Sequence, residues 1–332
     1  DNLMRQMRSS VILAGALIGK YHQARFSYPG GCDIGARPID LHLKAFEKLG
    51  INIKEEYGEI TCATGNIEGT QIHLDFPSVG ATENIILASC LAEGTTIITN
   101  AAKEPEITDL VNFLNKAGAK IKGSGTDKIE ITGVKKLSEI SYNIMPDRIE
   151  AGTYLIAGAI TGSDIKIINV CPEHIEPILN KLEEANCKLE IGKSCVRIIA
   201  PKRVKAVDIK TMPYPGFPTD MQAIFTSMLT TAKGTSIIIE NIFENRYKYL
   251  AELKRMGVKY TIEGRTAIIK GVRKLNGANV EATDLRGGAA LLIAGLAAKG
   301  TTKVGNIEYI LRGYENIEEK LNKLGAKITK EV

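Results

Sequence analysis

The feature that most restricts how this chain can fold is a repeat. The segments "FEKLGINIKEE", "LNKAGAKIKGS", "LEEANCKLEIG", "LKRMGVKYTIE" and "LNKLGAKITKE" each close an amphipathic helix, at Gly50, Gly118, Asn186, Gly257 and Gly325, with spacings of 68, 68, 71 and 68 residues. Glycine and asparagine accept the left-handed backbone that ends a helix, so the one asparagine obeys the same rule as the four glycines. A second series runs in step: "LAEGTTIITN", "AITGSDIKIIN", "TAKGTSIIIEN" and "AAKGTTKVGN" put Gly94, Gly162, Gly234 and Gly300 at helix ends that lead into strands. Read through, "MPDRIEAGTYLIAGAITG", "SDIKIINV", "PEHIEPILNKLEEAN", "CKLEIG" and "SCVRIIAP" give helix, strand, helix and hairpin, and "AVDIKTM" opens the next unit. The unit is βαβαββ and the class is α/β. Five units fit. The first begins inside its own helix and the fifth stops at "AKITKEV" before its last strand, so the chain is expected to be clipped at its front.

At 332 residues, two domains are expected. A net charge of +5 without blocks of Lys or Arg argues against a dedicated nucleic-acid binder and suits anionic small molecules. No apolar run is long enough to span a membrane and "DNLMRQMRSS" is not a secretion signal, so a soluble, cytoplasmic protein is expected. The six cysteines form no CxxC pair and have no close histidine, which supports neither a zinc site nor a disulfide framework. Cys62, Cys187 and Cys195 lie in strand-like runs and Cys90 in a helical one, as core thiols. Cys32, in "PGGCDIGARP", instead sits among glycines with Arg25 and Arg37 nearby, in a loop able to swing and to favour a thiolate.

The cations that enter helix starts are mostly arginine, although the chain has 30 Lys and 13 Arg: Arg8, Arg37, Arg148, Arg246, Arg286 and Arg312. A cation is disfavoured at the positive end of a helix unless an anion is shared, and the guanidinium fork suits phosphate and carboxylate. The alternative is that each pairs with a neighbouring acid such as Asp147 or Asp284. Carboxylates at the same stations are Asp40, Asp147, Asp220 and Asp284. Asp220 reads either as a helix N-cap or as a general base whose burial raises its pKa toward neutrality.

"PGGCDIGARPIDLHLKAFEKLG", "SVGATENIILASCLAEGTTII", "AAKEPEI", "FPTDMQA", "FENRY", "ATDLRGGAALLIAGLA" and "RGYENIEEKL" resemble the UDP-N-acetylglucosamine 1-carboxyvinyltransferases, over essentially the whole chain. The resemblance implies a two-domain inside-out α/β barrel of βαβαββ units, the enolpyruvyl transferase fold. Residues 1–144 would form a first domain with two of three units and the Cys32 lid, and 145–332 a second with three. It implies transfer of the enolpyruvyl group of phosphoenolpyruvate to the 3-hydroxyl of UDP-N-acetylglucosamine, the first committed step of peptidoglycan synthesis and the target of fosfomycin. Cofactor, metal, nucleic acid and membrane play no part in it.

By the same resemblance Cys32 is the reactive thiol, Arg37 and Arg312 hold phosphoenolpyruvate, Asp220 takes the sugar's proton, and Asp284 is a second acid. Arg8, Arg37, Pro38, Ile39, Asp40, Leu41, Ser78, Val79, Gly80, Asp220 and Ile242 resemble UDP-sugar contacts, and Arg246 and Arg286 join the anion ligands. The family's early lysine-asparagine pair has no counterpart here, which leaves a non-catalytic UDP-sugar-binding fragment as the alternative. Departures are Tyr309, Ile310 and Leu311 before Arg312, Tyr249 where a histidine is usual, and Phe76-Pro77 before Ser78. A shikimate-phosphate enolpyruvyl transferase would lack the "PGGC" loop. An RNA phosphate cyclase would need a nucleophilic histidine, and His22, His42, His73 and His174 lie in no such motif.

Overall fold

A computed structural model of the chain describes residues 9–28 and 39–331. They form two compact units, one ending at Met145 and the other beginning at Pro146, each around its own apolar core. The first contains α1 (Ser9–Tyr21), β1 (Gln23–Ser27), α2 (Asp40–Lys48), β2 (Asn52–Glu56), β3 (Glu59–Ala63), β4 (Gln71–His73), α3 (Val79–Ser89), β5 (Thr95–Thr99), α4 (Pro105–Lys116), β6 (Lys120–Lys122) and β7 (Lys128–Thr132). The second opens with α5 (Arg148–Thr161), β8 (Asp164–Ile168), α6 (Glu176–Glu184), β9 (Lys188–Ile191), β10 (Cys195–Ile199) and β11 (Ile209–Lys210). It continues with α7 (Thr219–Leu229), β12 (Thr235–Ile239), α8 (Tyr249–Arg255), β13 (Lys259–Glu263), β14 (Thr266–Lys270), β15 (Leu275–Asn276) and β16 (Asn279–Glu281). It closes with α9 (Leu285–Leu296), β17 (Ala298–Lys299), β18 (Lys303–Gly305), α10 (Glu308–Leu311) and α11 (Ile317–Lys323).

Complete repeats make four-stranded sheets of one pattern, β4-β5-β7-β6 and β11-β12-β14-β13, in which the leading strand is parallel to the second and the hairpin antiparallel. Two repeats make three-stranded sheets, β1-β3-β2 and β8-β10-β9. Strands alternate: in β7, Lys128 and Glu130 face out while Ile129 and Ile131 are buried. Some helices do not alternate. Every residue of α5 from Ala151 to Ile160 is buried, because α5, α7 and α9 pack on one another inside the unit and the sheets lie outside them. In the first unit α1 packs on α3, and a Cβ on Gly15 or Gly19 would come within 2.5 Å of the Asn84 carbonyl or 2.7 Å of the Leu87 carbonyl.

All nine repeat-marking residues have left-handed backbone, with φ from +66° at Gly162 to +120° at Gly234. Gly162 caps α5 directly, whereas Gly94, Gly234 and Gly300 sit one turn beyond their helices. Two further periodic signals went unread. Gly133 and Gly271 donate to the carbonyls of Gly94 and Gly234, both at 3.0 Å, and a Cβ on either would collide with the carbonyl of Ala92 or Ala232. Three of the four asparagines ending the second series tie a second strand to its leading strand: Asn100, Asn241 and Asn306 donate to the carbonyls of Leu74, Thr211 and Ala282.

Candidate functional site

In the second unit the first turns of the inner helices carry the polar groups. Asp147 and Asp284 are N-caps: Asp147 accepts from the amides of Ile149 and Glu150 at 2.7 and 3.0 Å, and Asp284 from those of Arg286 and Gly287, both at 3.0 Å. Asp220 is not a cap. Pro218 holds that position and Asp220 lies in the first turn of α7, which corrects the N-cap reading. Its carboxylate turns to two arginines distant in sequence. Arg246 Nη2 donates to Oδ1 at 2.8 Å, and Arg286 Nε and Nη2 donate to Oδ2 at 3.3 and 3.1 Å. Arg286 Nη1 also donates to the Tyr314 hydroxyl at 3.2 Å, which is 2.9 Å from Thr153 Oγ1 of α5. Two of the six helix-start arginines, Arg246 and Arg286, thus do meet an acid, but the shared Asp220 rather than the neighbouring Asp284.

Burial would raise the Asp220 carboxyl, but the charges of Arg286 and Arg246 outweigh it and hold the group well below the usual carboxylate range. The expectation of a pKa near neutrality is therefore corrected. Arg246 is almost wholly buried, at 2% side-chain exposure, while Asp220 keeps 39%, so one face of the cluster stays open to solvent. Among the described residues, Arg246 Nε and Nη1 are buried with no hydrogen-bond partner. Such donors are costly unless something accepts from them.

Glu240 organises the adjoining turn. Its carboxylate, 1% exposed, accepts from Thr211 Oγ1, Thr219 Oγ1 and the amides of Ile242 and Phe243 at 2.8 to 3.2 Å, which fixes Ile242 beside the start of α7. Neither Glu240 nor Tyr314 is among the charged residues that the sequence places at helix starts: Glu240 directly follows strand β12, and Tyr314 is uncharged. Arg312 is exposed and stacks over Tyr309 at 5.0 Å. It follows α10 instead of opening a helix, so there a cation is favoured rather than strained. Tyr249 opens α8 fully buried, its hydroxyl donating to Gln222 Oε1 at 3.3 Å.

In the first unit Arg8, Cys32, Arg37 and Pro38 lie outside the described residues. Ile39 is buried just ahead of α2, Asp40 is exposed and pairs with Lys44, and Leu41 is half-buried. Ser78 caps α3, accepting from the amide of Ala81 at 3.3 Å, and leaves the amides of Val79 and Gly80 in the first turn of an eleven-residue helix, a geometry suited to an anion. Further along α3, burial and then the charges of Glu106 and Glu104 push Glu83 up to about 7 from its ordinary 4.5. A folded-state pKa raised in this way makes stability fall as pH rises from about 4.5 to about 7. Glu83→Gln is expected to unfold like wild type at pH 4.5 and to be more stable by about 1–3 kcal/mol at pH 8. Urea unfolding at both pH values checks it, and an equal difference at both would contradict it.

Of the thiols, Cys62, Cys90 and Cys187 are buried, and burial pushes them up to about 11, 12 and 11. Cys195 is half-buried, which corrects its reading as a core thiol, and so is Cys171. Brief alkylation is expected to label Cys32 first, while the three buried thiols stay unlabelled. Peptide mapping reads the order, and early labelling of Cys90 or Cys187 would contradict it.

The second unit thus joins repeated α/β units with inner helices to a carboxylate held between two arginines near the helix starts. The model of the EPSP synthase (3-phosphoshikimate 1-carboxyvinyltransferase) family matches residues 1–321, and the chain belongs to this enolpyruvyl transferase family. Among relatives, it is 57% identical to UDP-N-acetylglucosamine 1-carboxyvinyltransferase 2 of Caldanaerobacter subterraneus subsp. tengcongensis, over 99% of this chain and 79% of that one. It is 50% identical to UDP-N-acetylglucosamine 1-carboxyvinyltransferase of Geobacter metallireducens, over 98% and 78%. In fold it matches the enolpyruvyl transferase NikO from Streptomyces tendae with a TM-score of 0.87, at 24% identity over 98% of this chain and 78% of that one. EPSP synthase from Acinetobacter baumannii matches with 0.69, at 21% identity over 96% and 77%. No helix among the described residues is long and apolar enough to cross a membrane.

Proposed function

We propose that this protein transfers the enolpyruvyl group of phosphoenolpyruvate to the 3-hydroxyl of UDP-N-acetylglucosamine and releases phosphate. The observation that carries this is the Asp220 carboxylate clamped by Arg246 and Arg286, in a chain 50–57% identical to carboxyvinyltransferases. The reaction adds a proton to the vinyl carbon, joins the sugar oxygen to the adjacent carbon, then breaks the bond to phosphate as a methyl proton leaves. It calls for an acid, a base and anion ligands. Asp220 takes the hydroxyl proton, Cys32 and Asp284 serve proton transfer near the reacting carbons, and Arg37 and Arg312 hold phosphoenolpyruvate. Arg8, residues 37–41, residues 78–80 and Ile242 receive the UDP-sugar.

The depressed Asp220 pKa fits this role once substrate is bound. An anion that draws on Arg246 or Arg286 takes charge away from the carboxylate and makes it a stronger base. The product enters peptidoglycan synthesis, and the work is done in the cytoplasm, where the unpaired thiols persist.

Acceptor choice is the test. Phosphate release from phosphoenolpyruvate is expected with UDP-N-acetylglucosamine and not with shikimate 3-phosphate. The reverse preference would overturn the reading.

A further inference from the structure

One buried polar pair in the first unit takes no part in the reaction as assigned. Asn84, fully buried in α3, accepts on Oδ1 from the amide of Gly15 at 2.8 Å and donates from Nδ2 to the carbonyl of Val11 at 2.8 Å. Both partners are backbone groups of α1 with only one possible role, so the amide orientation is fixed. The same Nδ2 lies 2.7 Å from Nδ1 of His42, which is 5% exposed in α2. A ring nitrogen facing an obligate donor must present its lone pair, so His42 is a neutral imidazole with its proton on Nε2.

The ring so oriented touches a second segment. A Cβ on Gly80 would lie 3.1 Å from His42 Cε1 and 3.4 Å from Nε2, so the backbone of Gly80 rests against the imidazole edge and only glycine fits without a shift. His42 also directly follows Leu41. The two stretches assigned above to the UDP-sugar, 39–41 and 78–80, therefore meet through this ring, and Asn84 locks the ring to α1.

The geometry points to His42 as a positioning residue for the UDP-sugar: held by Asn84, it sets the spacing between the starts of α2 and α3. The inference rests on the assignment of those two stretches in the proposed function. A pair serving packing alone would differ from it in what a folded variant loses. His42→Asn keeps an acceptor at the Nδ1 position for Asn84 and removes the ring from Gly80. It is expected to melt close to wild type and to raise KM for UDP-N-acetylglucosamine by about tenfold or more, with KM for phosphoenolpyruvate changed by less than about threefold.

A folded His42→Asn with an unchanged sugar KM, or with both KM values raised alike, would overturn the inference. Should that variant not fold, the wild-type protein decides. In 15N-edited spectra the His42 ring is expected to show an unprotonated Nδ1 and to shift on addition of UDP-N-acetylglucosamine but not of phosphoenolpyruvate. A protonated Nδ1, or a ring indifferent to the sugar, would overturn it. Wild-type protein that neither binds nor turns over the UDP-sugar would remove the proposed function and this inference together, whereas normal wild-type turnover with an indifferent His42 removes this inference alone.

Discussion

Asp220→Asn is expected to lower turnover by about 10²–10⁴-fold, as the loss of a general base does, while UDP-sugar affinity stays within about tenfold because the amide still forms hydrogen bonds. Stability should fall as well. Arg246, at 2% exposure, loses its acid and already carries two buried nitrogens that have no hydrogen-bond partner among the described residues. Removing one partner of a buried pair costs about 3–5 kcal/mol, but solvent reaches Asp220, so about 1–3 kcal/mol is expected. The pH dependence has a definite sign. A carboxyl held below its ordinary pKa contributes stability that is present above that ordinary value and is lost as pH falls through the lower, folded-state one. Acid unfolding of wild type should therefore show a slope that the variant lacks. Single-turnover kinetics with parallel melting checks both arms, and near-normal turnover in a folded variant would reduce Asp220 to an ion-pair partner.

Asp284 offers a cleaner separation, because it is an N-cap and asparagine caps as well as aspartate does. Asp284→Asn is expected to melt like wild type, still accepting from Arg286 and Gly287, while turnover falls by about 10² or more if the carboxyl serves proton transfer. Asp284→Ala should lose the same activity and about 1–2 kcal/mol of stability besides. An active Asp284→Asn beside a destabilised Asp284→Ala would show that the residue only caps α9.

The repeat was legible because its signal is local. A helix that must end in a left-handed residue writes glycine or asparagine at that position, and all nine marked positions have that backbone. Gly133 and Gly271 escaped because their need for a missing Cβ comes from a carbonyl some forty residues earlier in the chain, of Ala92 or Ala232, and not from their own φ. The same limit explains Asp220. "FPTD" fits a cap locally, and nothing near it announces that Arg246 and Arg286, 26 and 66 residues away, will take its two oxygens. Of the arginine series, Arg246 and Arg286 share the protein's own Asp220 carboxylate, a pairing with an acid as the alternative reading had it, though with a distant one. Arg312 misled because α10, four residues long, leaves no periodic trace. His42 read as one histidine in no motif. Its partner Asn84 comes 42 residues later, on α3, and only the packing of α2 on α3 brings the pair together.

The central claim, enolpyruvyl transfer to the UDP-sugar through a protonated vinyl carbon, is tested most directly by turnover in D2O with phosphoenolpyruvate and UDP-N-acetylglucosamine. The account predicts phosphate released one-for-one with an enolpyruvyl ether at the sugar's 3-oxygen, with deuterium entering the product's vinyl carbon, and with both signals lost in Asp220→Asn. Phosphate released without the sugar, or a product whose vinyl carbon carries no deuterium, would contradict it.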